Sequence, residues 1–198
     1  MNDVTHLGIY DIPMMSNIPN LVYLAPTTYE EYIAMLDWST EQREHPVAIR
    51  VPGAVIHGEK PTKDYGILNK YETVQKGSGA AIIALGTFFG MGKQAAELIE
   101  KKTGVKPTLI DPVYITGIDE ELLESLKKDH KAVVTLEDGI LDGGFGEKIA
   151  RFYGDSDMRT VNFGLKKEFL DRYDANEVLR QNCLTPEQIA DRAAELIK

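Results

Sequence analysis

Val134-Thr135-Leu136-Glu137-Asp138-Gly139-Ile140-Leu141-Asp142-Gly143-Gly144-Phe145-Gly146 reads as a strand (131–136) that runs into a glycine-rich turn and then a helix, 144–153. Strand, tight turn and helix in that order are the repeating unit of a parallel sheet covered by helices. The pattern recurs on both sides of this stretch. Upstream, 80–85 reads as a strand, 89–102 as a helix stopped by Gly104, and 108–110 as a strand. Asp119 then caps a helix that carries Leu122, Leu123 and Leu126. Downstream, 158–163 reads as a strand. Thr185-Pro186 opens a last helix, with proline at its first position and Gln188 completing a capping box. The expected fold class is α/β: a mostly parallel sheet with helices on both faces, over residues 77–198.

The N-terminal stretch repeats the theme in shorter form. Leu21–Ala25 is an apolar run ended by Pro26, and Thr27 with Glu30 predicts a capping box that opens a helix to about Arg43. Its apolar positions Tyr29, Tyr32, Ile33 and Leu36 share one face. Val47–Val51 is a second strand, so this is one parallel crossover unit. Two strands and a helix rarely stand alone. Residues 1–52 are therefore expected to be the C-terminal part of a larger domain, and 53–76, rich in Gly, Pro, Lys and Tyr without a sustained period, a linker.

Composition narrows the function classes. With 22 Lys and Arg against 31 Asp and Glu, the net charge is −9, which argues against nucleic acid and anionic membranes as partners. Cys183 is the single cysteine, which excludes an intrachain disulfide and points to a reducing compartment. No signal-peptide pattern stands at the start, and the apolar stretch 80–91 is too short to span a bilayer. A cytoplasmic location is expected.

Several motifs invite a ligand. Gly86, Gly90 and Gly92 follow a strand, and Asp111 ends the next one, which imitates a dinucleotide fold. The spacing is G-x-x-x-G-x-G rather than G-x-G-x-x-G, so tight helix–sheet packing is the expectation. The turn at 139–146 could offer backbone amides to an anion, but Glu137, Asp138 and Asp142 oppose one there. Close backbone approach, within the domain or across an interface, is the better reading. Gly154-Asp155-Ser156 with Asn182 echoes a diphosphate–magnesium motif but lacks its third glycine. Among the histidines, His45 and His130 sit beside charged neighbours and His57 in the linker. His6 stands among Asp3, Thr5 and Gly8, ahead of any regular element, where an imidazole can hydrogen-bond a carbonyl or hydroxyl and move a proton.

These residues carry a resemblance. Thr5-His6-Leu7-Gly8 resembles the T-H-Q-G loop of transketolase-like enzymes, especially 1-deoxy-D-xylulose 5-phosphate synthases. Ile18–Val22, Ala25-Pro26, Ala48-Ile49-Arg50, Gly86-Thr87, Asp119–Glu121, Val134–Glu137, Gly143–Gly146 and Asn162–Leu165 are similar to later segments of that family in the same order. The resemblance implies the end of a pyrimidine-binding domain over 1–52 and a transketolase-like C-terminal domain over 77–198. It implies a parent enzyme that uses thiamine diphosphate and Mg2+ for two-carbon transfer, in the synthase from pyruvate with decarboxylation to glyceraldehyde 3-phosphate.

By the same resemblance, His6 is the catalytic histidine facing the acceptor or intermediate. Asp3 (with Asn2 as rival) is the residue on the acceptor hydroxyls, and Arg50 binds substrate. The family's cofactor-activating glutamate and magnesium motif lie upstream of the matching stretch. This chain alone is therefore expected to be inactive and to bind no cofactor. Its partners are the remaining N-terminal and central domains, and a homodimer is implied. The family reads R-Y-P-R-G where this chain has Arg50-Val51-Pro52-Gly53, so the second arginine, a phosphate clamp, is absent. A different expectation is a dimerisation or docking subunit of a split transketolase-like or 2-oxoacid dehydrogenase-like complex.

Overall fold

A computed structural model describes residues 6–51, 53–59 and 61–197. Short helix α1 (Asp11–Met15) precedes β1 (Val22–Leu24), α2 (Tyr29–Glu41) and β2 (Val47–Ile49). Then come β3 (Glu72–Gln75), β4 (Gly79–Ala84), α3 (Phe89–Thr103), β5 (Thr108–Asp111), α4 (Glu120–Leu126), β6 (His130–Ile140), α5 (Phe145–Phe152), β7 (Arg159–Leu165), α6 (Ala175–Gln181) and α7 (Pro186–Ile197). The main sheet has the order β3-β5-β4-β6-β7, with only β3 antiparallel. The expected fold class holds. What the sequence did not signal is β3, which lies within 53–76 and closes one edge of the sheet.

Alternation along β4 sorts the core into two layers, as a strand buried on both faces requires. Ile82 and Ala84 pack with Val134 and Leu136 against Ala95 and Ile99 of α3 and Ile189 and Ala193 of α7. Ala81, Ile83 and Leu85 face the opposite layer, with Leu123 of α4 and Phe145 and Ile149 of α5. Gly92 lets α3 approach closely: a Cβ there would stand 2.6 Å from that of Ala84. The expected packing role fits Gly92, whereas a Cβ on Gly90 would meet nothing within 4 Å.

The β1–α2–β2 unit is a parallel pair that joins the main body through β1. Leu24 bridges Tyr114, and Ala25 donates its amide to the Val113 carbonyl (2.9 Å). One detail of α2 corrects the sequence reading, and a second adds to it. The N-cap is Thr28, which accepts from the Glu31 amide, while the Glu31 carboxylate reaches back to the Thr27 amide at 2.8 Å, so the box is shifted by one residue from Thr27/Glu30. The apolar stripe also does not face the core. Tyr29 and Leu36 are 45% and 40% exposed, whereas Glu31 and Met35 are buried. Glu31 can be buried because it caps the helix and meets a lysine, as described below.

Candidate functional site

The carboxyl ends of β4 and β6 face the crevice where the chain direction in the sheet diverges, with β5 on one side of β4 and β6 on the other. Ligands of open α/β sheets bind in such crevices. Here the chain's own N-terminal residues enter it. The register of β6 against β7 shifts between Leu136 and Ile140, and the two successive acids within this stretch point to opposite faces and take different tasks.

Glu137 is fully buried. Its carboxylate accepts the Phe145 amide (2.7 Å) and the Gly146 amide (2.7 Å) at the start of α5. Burial pushes its pKa up to about 7, against the pull of those two hydrogen bonds and of Lys148. The helix N-terminus in the turn that invited a phosphate is thus taken by an internal carboxyl group. Gly139 serves close approach: a Cβ there would lie 2.9 Å from Ile12 Cδ1, and the Ile140 amide donates to the Ile9 carbonyl (2.9 Å). The stretch after His6 and the glycine-rich turn, about 130 residues apart in sequence, are therefore in contact.

Asp138 points the other way. Its carboxylate accepts from Thr87 Oγ1 (2.8 Å) and pairs with Arg50 Nη1. Arg50 Nε also pairs with Asp11 (2.6 Å), and its Nη2 donates to the Gly8 carbonyl (2.8 Å). Tyr23 donates its hydroxyl to the same Asp11 carboxylate. Burial works to raise the Asp11 pKa, but the bonds and charge from Arg50, with Tyr23, outweigh it and hold the carboxyl below its usual range. For Arg50, burial works to lower its pKa, and the Asp138 and Asp11 charges outweigh it and raise it further.

The expected site residues fall as follows. His6 is exposed, two residues before the Gly8 carbonyl that Arg50 holds. Arg50, expected on substrate, has its guanidinium engaged with Asp11, Asp138 and Gly8. Asp3 and Asn2 lie outside the described residues. Sequence reasoning named Asp138 only as an obstacle to an anion and passed over Asp11. The one available signal was that an arginine at a strand end needs a carboxylate partner when buried.

A second ionic cluster lies at the end of β5. Lys63 Nζ reaches Glu31 (2.5 Å), Glu72 (2.6 Å) and Asp111 (3.6 Å). Burial, followed by the Glu31 charge, pushes the Asp111 pKa well above its usual range, and Lys63 only partly offsets this. Tyr65 is buried nearby with its hydroxyl unpaired among the described residues. A cavity of about 610 Å³ adjoins the cluster, lined by Thr27, Thr28, Lys63, Lys70, Phe89 and Tyr114 among others. Asp111 is thus committed to this cluster and to the Val113 amide (3.0 Å), not to the ribose contact a dinucleotide would need. His130 is buried between Thr108 and the Leu126 carbonyl, and His57 meets Glu30.

No group of three or more His, Cys, Asp or Glu side chains among the described residues is placed to hold a metal ion. The helix N-terminus that a diphosphate would use carries Glu137 instead. The residues present do not fit a magnesium–diphosphate group, so no step through one is assigned to them. Among the described residues no helix is long and apolar enough to cross a membrane.

Comparison with known proteins agrees with this architecture. The family described as "Transketolase, C-terminal domain" matches residues 69–189, and the chain belongs to that family. It is similar to the 1-deoxy-D-xylulose-5-phosphate synthase of Clostridium tetani, with 31% identity over 98% of this chain and 31% of the relative. The Clostridium perfringens synthase is 33% identical over 98% of this chain and 32% of its own length. The chain thus spans about a third of the length of these curated relatives. Among solved structures, a protein titled split gene transketolase, inactive beta4 tetramer, superposes with a TM-score of 0.83 at 23% identity, over 98% of this chain and 64% of that one. A transketolase variant from Pichia stipitis gives 0.73 at 18% identity, over 98% of this chain and 28% of that one.

Proposed function

We propose that this chain is the C-terminal portion of a thiamine diphosphate-dependent enzyme of the 1-deoxy-D-xylulose 5-phosphate synthase type. In this reading 1–52 end a pyrimidine-binding domain, 53–76 join, and 77–198 form the C-terminal domain. The observation that carries the reading is the similarity to the synthases along 98% of the chain, through the His6 loop and Arg50 as well as the C-terminal domain. His6 faces the acceptor or the intermediate, and Asp3 contacts acceptor hydroxyls. The cofactor supplies the carbon–carbon chemistry in the assembled enzyme, and its glutamate and magnesium ligands come from the other domains. The protein works in the cytoplasm as a dimer, and its substrates are small 2-oxoacids and phosphorylated sugars.

The test is turnover by this chain joined, in one polypeptide or by co-expression, to the two thirds that its relatives carry. With pyruvate and glyceraldehyde 3-phosphate, carbon dioxide release and a deoxypentulose phosphate are expected only when thiamine diphosphate and Mg2+ are present. The chain alone is expected to give a flat calorimetric titration with the cofactor. No product from this pair, or tight cofactor binding by the 198 residues alone, overturns the reading.

One observation favours a second reading, that of a docking subunit. The apolar positions Tyr29 and Leu36 of α2 are exposed, and the strand partner of β2 is β1 alone among the described residues. Sedimentation that shows only monomer at high micromolar concentration, with no polypeptide retained on co-purification, removes this reading.

A further inference from the structure

Arg50 is the place where the His6 segment and the main sheet are tied together. Its amide donates to the Leu24 carbonyl (2.8 Å), which fixes the backbone at the end of β2. Its side chain is 15% exposed, and the donors of its fork are distributed over three groups from two parts of the chain, the 8–11 segment and β6. Nε and Nη2 meet the two oxygens of Asp11 at 2.6 and 3.1 Å. Nη1 meets Asp138 on β6, and Nη2 also reaches the Gly8 carbonyl at 2.8 Å. Each aspartate is held from behind, Asp11 by the Tyr23 hydroxyl on β1 and Asp138 by the Thr87 hydroxyl in the turn after β4. A planar guanidinium gripped on both sides cannot pivot. It transmits the position of β4 and β6 to Gly8, and Ile9 and Ile12, both buried, continue the attachment.

We propose that Arg50 is a positioning residue: it clamps the Gly8 carbonyl against the carboxyl end of β6, so sets where the His6 imidazole stands, and does not itself take an anionic group of the substrate. The consequence for catalysis rests on the proposed role of His6, but the clamp itself can be measured without turnover.

The experiment compares the 198-residue chain with Arg50→Met, Arg50→Lys and Asp138→Asn by amide hydrogen exchange and by NMR of the histidine rings. In Arg50→Met and Asp138→Asn, exchange over residues 6–16 is expected to quicken by about ten-fold or more, as loss of a charge-assisted bond implies. The His6 ring resonances shift, while those of His45, His57 and His130 stay in place. Arg50→Lys falls between wild type and Arg50→Met, because an ammonium can keep one carboxylate but not the fork. In the assembled enzyme Arg50→Lys lowers kcat and leaves the KM of the donor unchanged.

Titration with inorganic phosphate and with glyceraldehyde 3-phosphate separates the rival role. If Arg50→Met abolishes phosphate binding while residues 6–16 exchange as in wild type, Arg50 is a ligand contact and the proposal falls. Should Arg50→Met not fold, Thr87→Val tests the clamp from its other end, with the same expected quickening and the same overturning result. Quickened exchange in a protein that shows no transketolase-type turnover sinks the functional reading alone. Unchanged exchange in an active enzyme sinks the clamp alone.

Discussion

Arg50 and Lys63 each bind the β1–α2–β2 unit to the rest of the molecule, and they do so in different ways. Arg50 meets two aspartates, each about a quarter exposed, and a carbonyl, with bonds whose directions the guanidinium plane dictates. Lys63 is a point charge among three carboxylates, of which Glu31 and Asp111 are buried and Glu72 is half exposed. Burial, with the Glu31 charge behind it, raises the pKa of Asp111, and the single positive charge of Lys63 only partly offsets this. The planar fork gives direction at nearly balanced charge, whereas the ammonium gives cohesion without direction. That difference fits a clamp beside a candidate active-site loop and a structural rivet beneath α2.

Substitution can break the comparison. Lys63→Met leaves Glu31 and Asp111 buried without a counter-charge. A loss of about 3–5 kcal/mol is expected in urea unfolding, and a loss below ~1 kcal/mol would mean that solvent already screens the cluster. Glu137 is the control, a buried acid held by amides rather than by a cation. Glu137→Ala leaves the Phe145 and Gly146 amides unpaired, at roughly 2–4 kcal/mol. Arg50→Met is expected to cost about 2 kcal/mol, less than Lys63→Met, because solvent reaches both aspartates it abandons. If it destabilises as much as Lys63→Met, the two cations do the same job and the distinction fails.

Asp111→Asn has the smallest expected effect on stability at neutral pH, within about 1 kcal/mol, since the amide oxygen can still accept from Val113. Its signature is in the pH dependence. Asp111 and Glu137 both have raised folded-state pKa values, so each contributes stability that is present in full below its unfolded pKa and is lost as pH rises through the folded one. For Glu137 that window runs from 4.5 to about 7. Wild-type stability should therefore decline across it, and Asp111→Asn should decline less. Equal slopes in urea titrations at several pH values would remove Asp111 from the account.

Much of the fold was legible because periodicity and punctuation are local. The apolar run at 80–85, the Asp119 cap and the Gly104 stop each act within a few residues, and each stands where it was expected. The orientation of helix α2 was not legible, because an apolar stripe is a statement about some surface, not about which surface. Tyr29 and Leu36 face outward, and the core side is taken by Met35 and by Glu31, whose burial depends on Lys63 from 32 residues away. The strand β3 carries no apolar alternation that would announce it, since its pairing with β5 supplies backbone hydrogen bonds rather than a core.

The amino-acid sequence alone determined the α/β class, the order of most elements and the family resemblance, all of which rest on patterns of neighbouring residues. Tertiary structure alone decided the use of each charge. Glu137 and Asp138 are adjacent on β6 and so point to opposite faces, but only the fold sets the amides of α5 before one and Arg50 before the other. Whether a buried carboxylate meets amides, an ammonium or a guanidinium depends on what the fold brings within about 3 Å of it, and no local pattern encodes that distance.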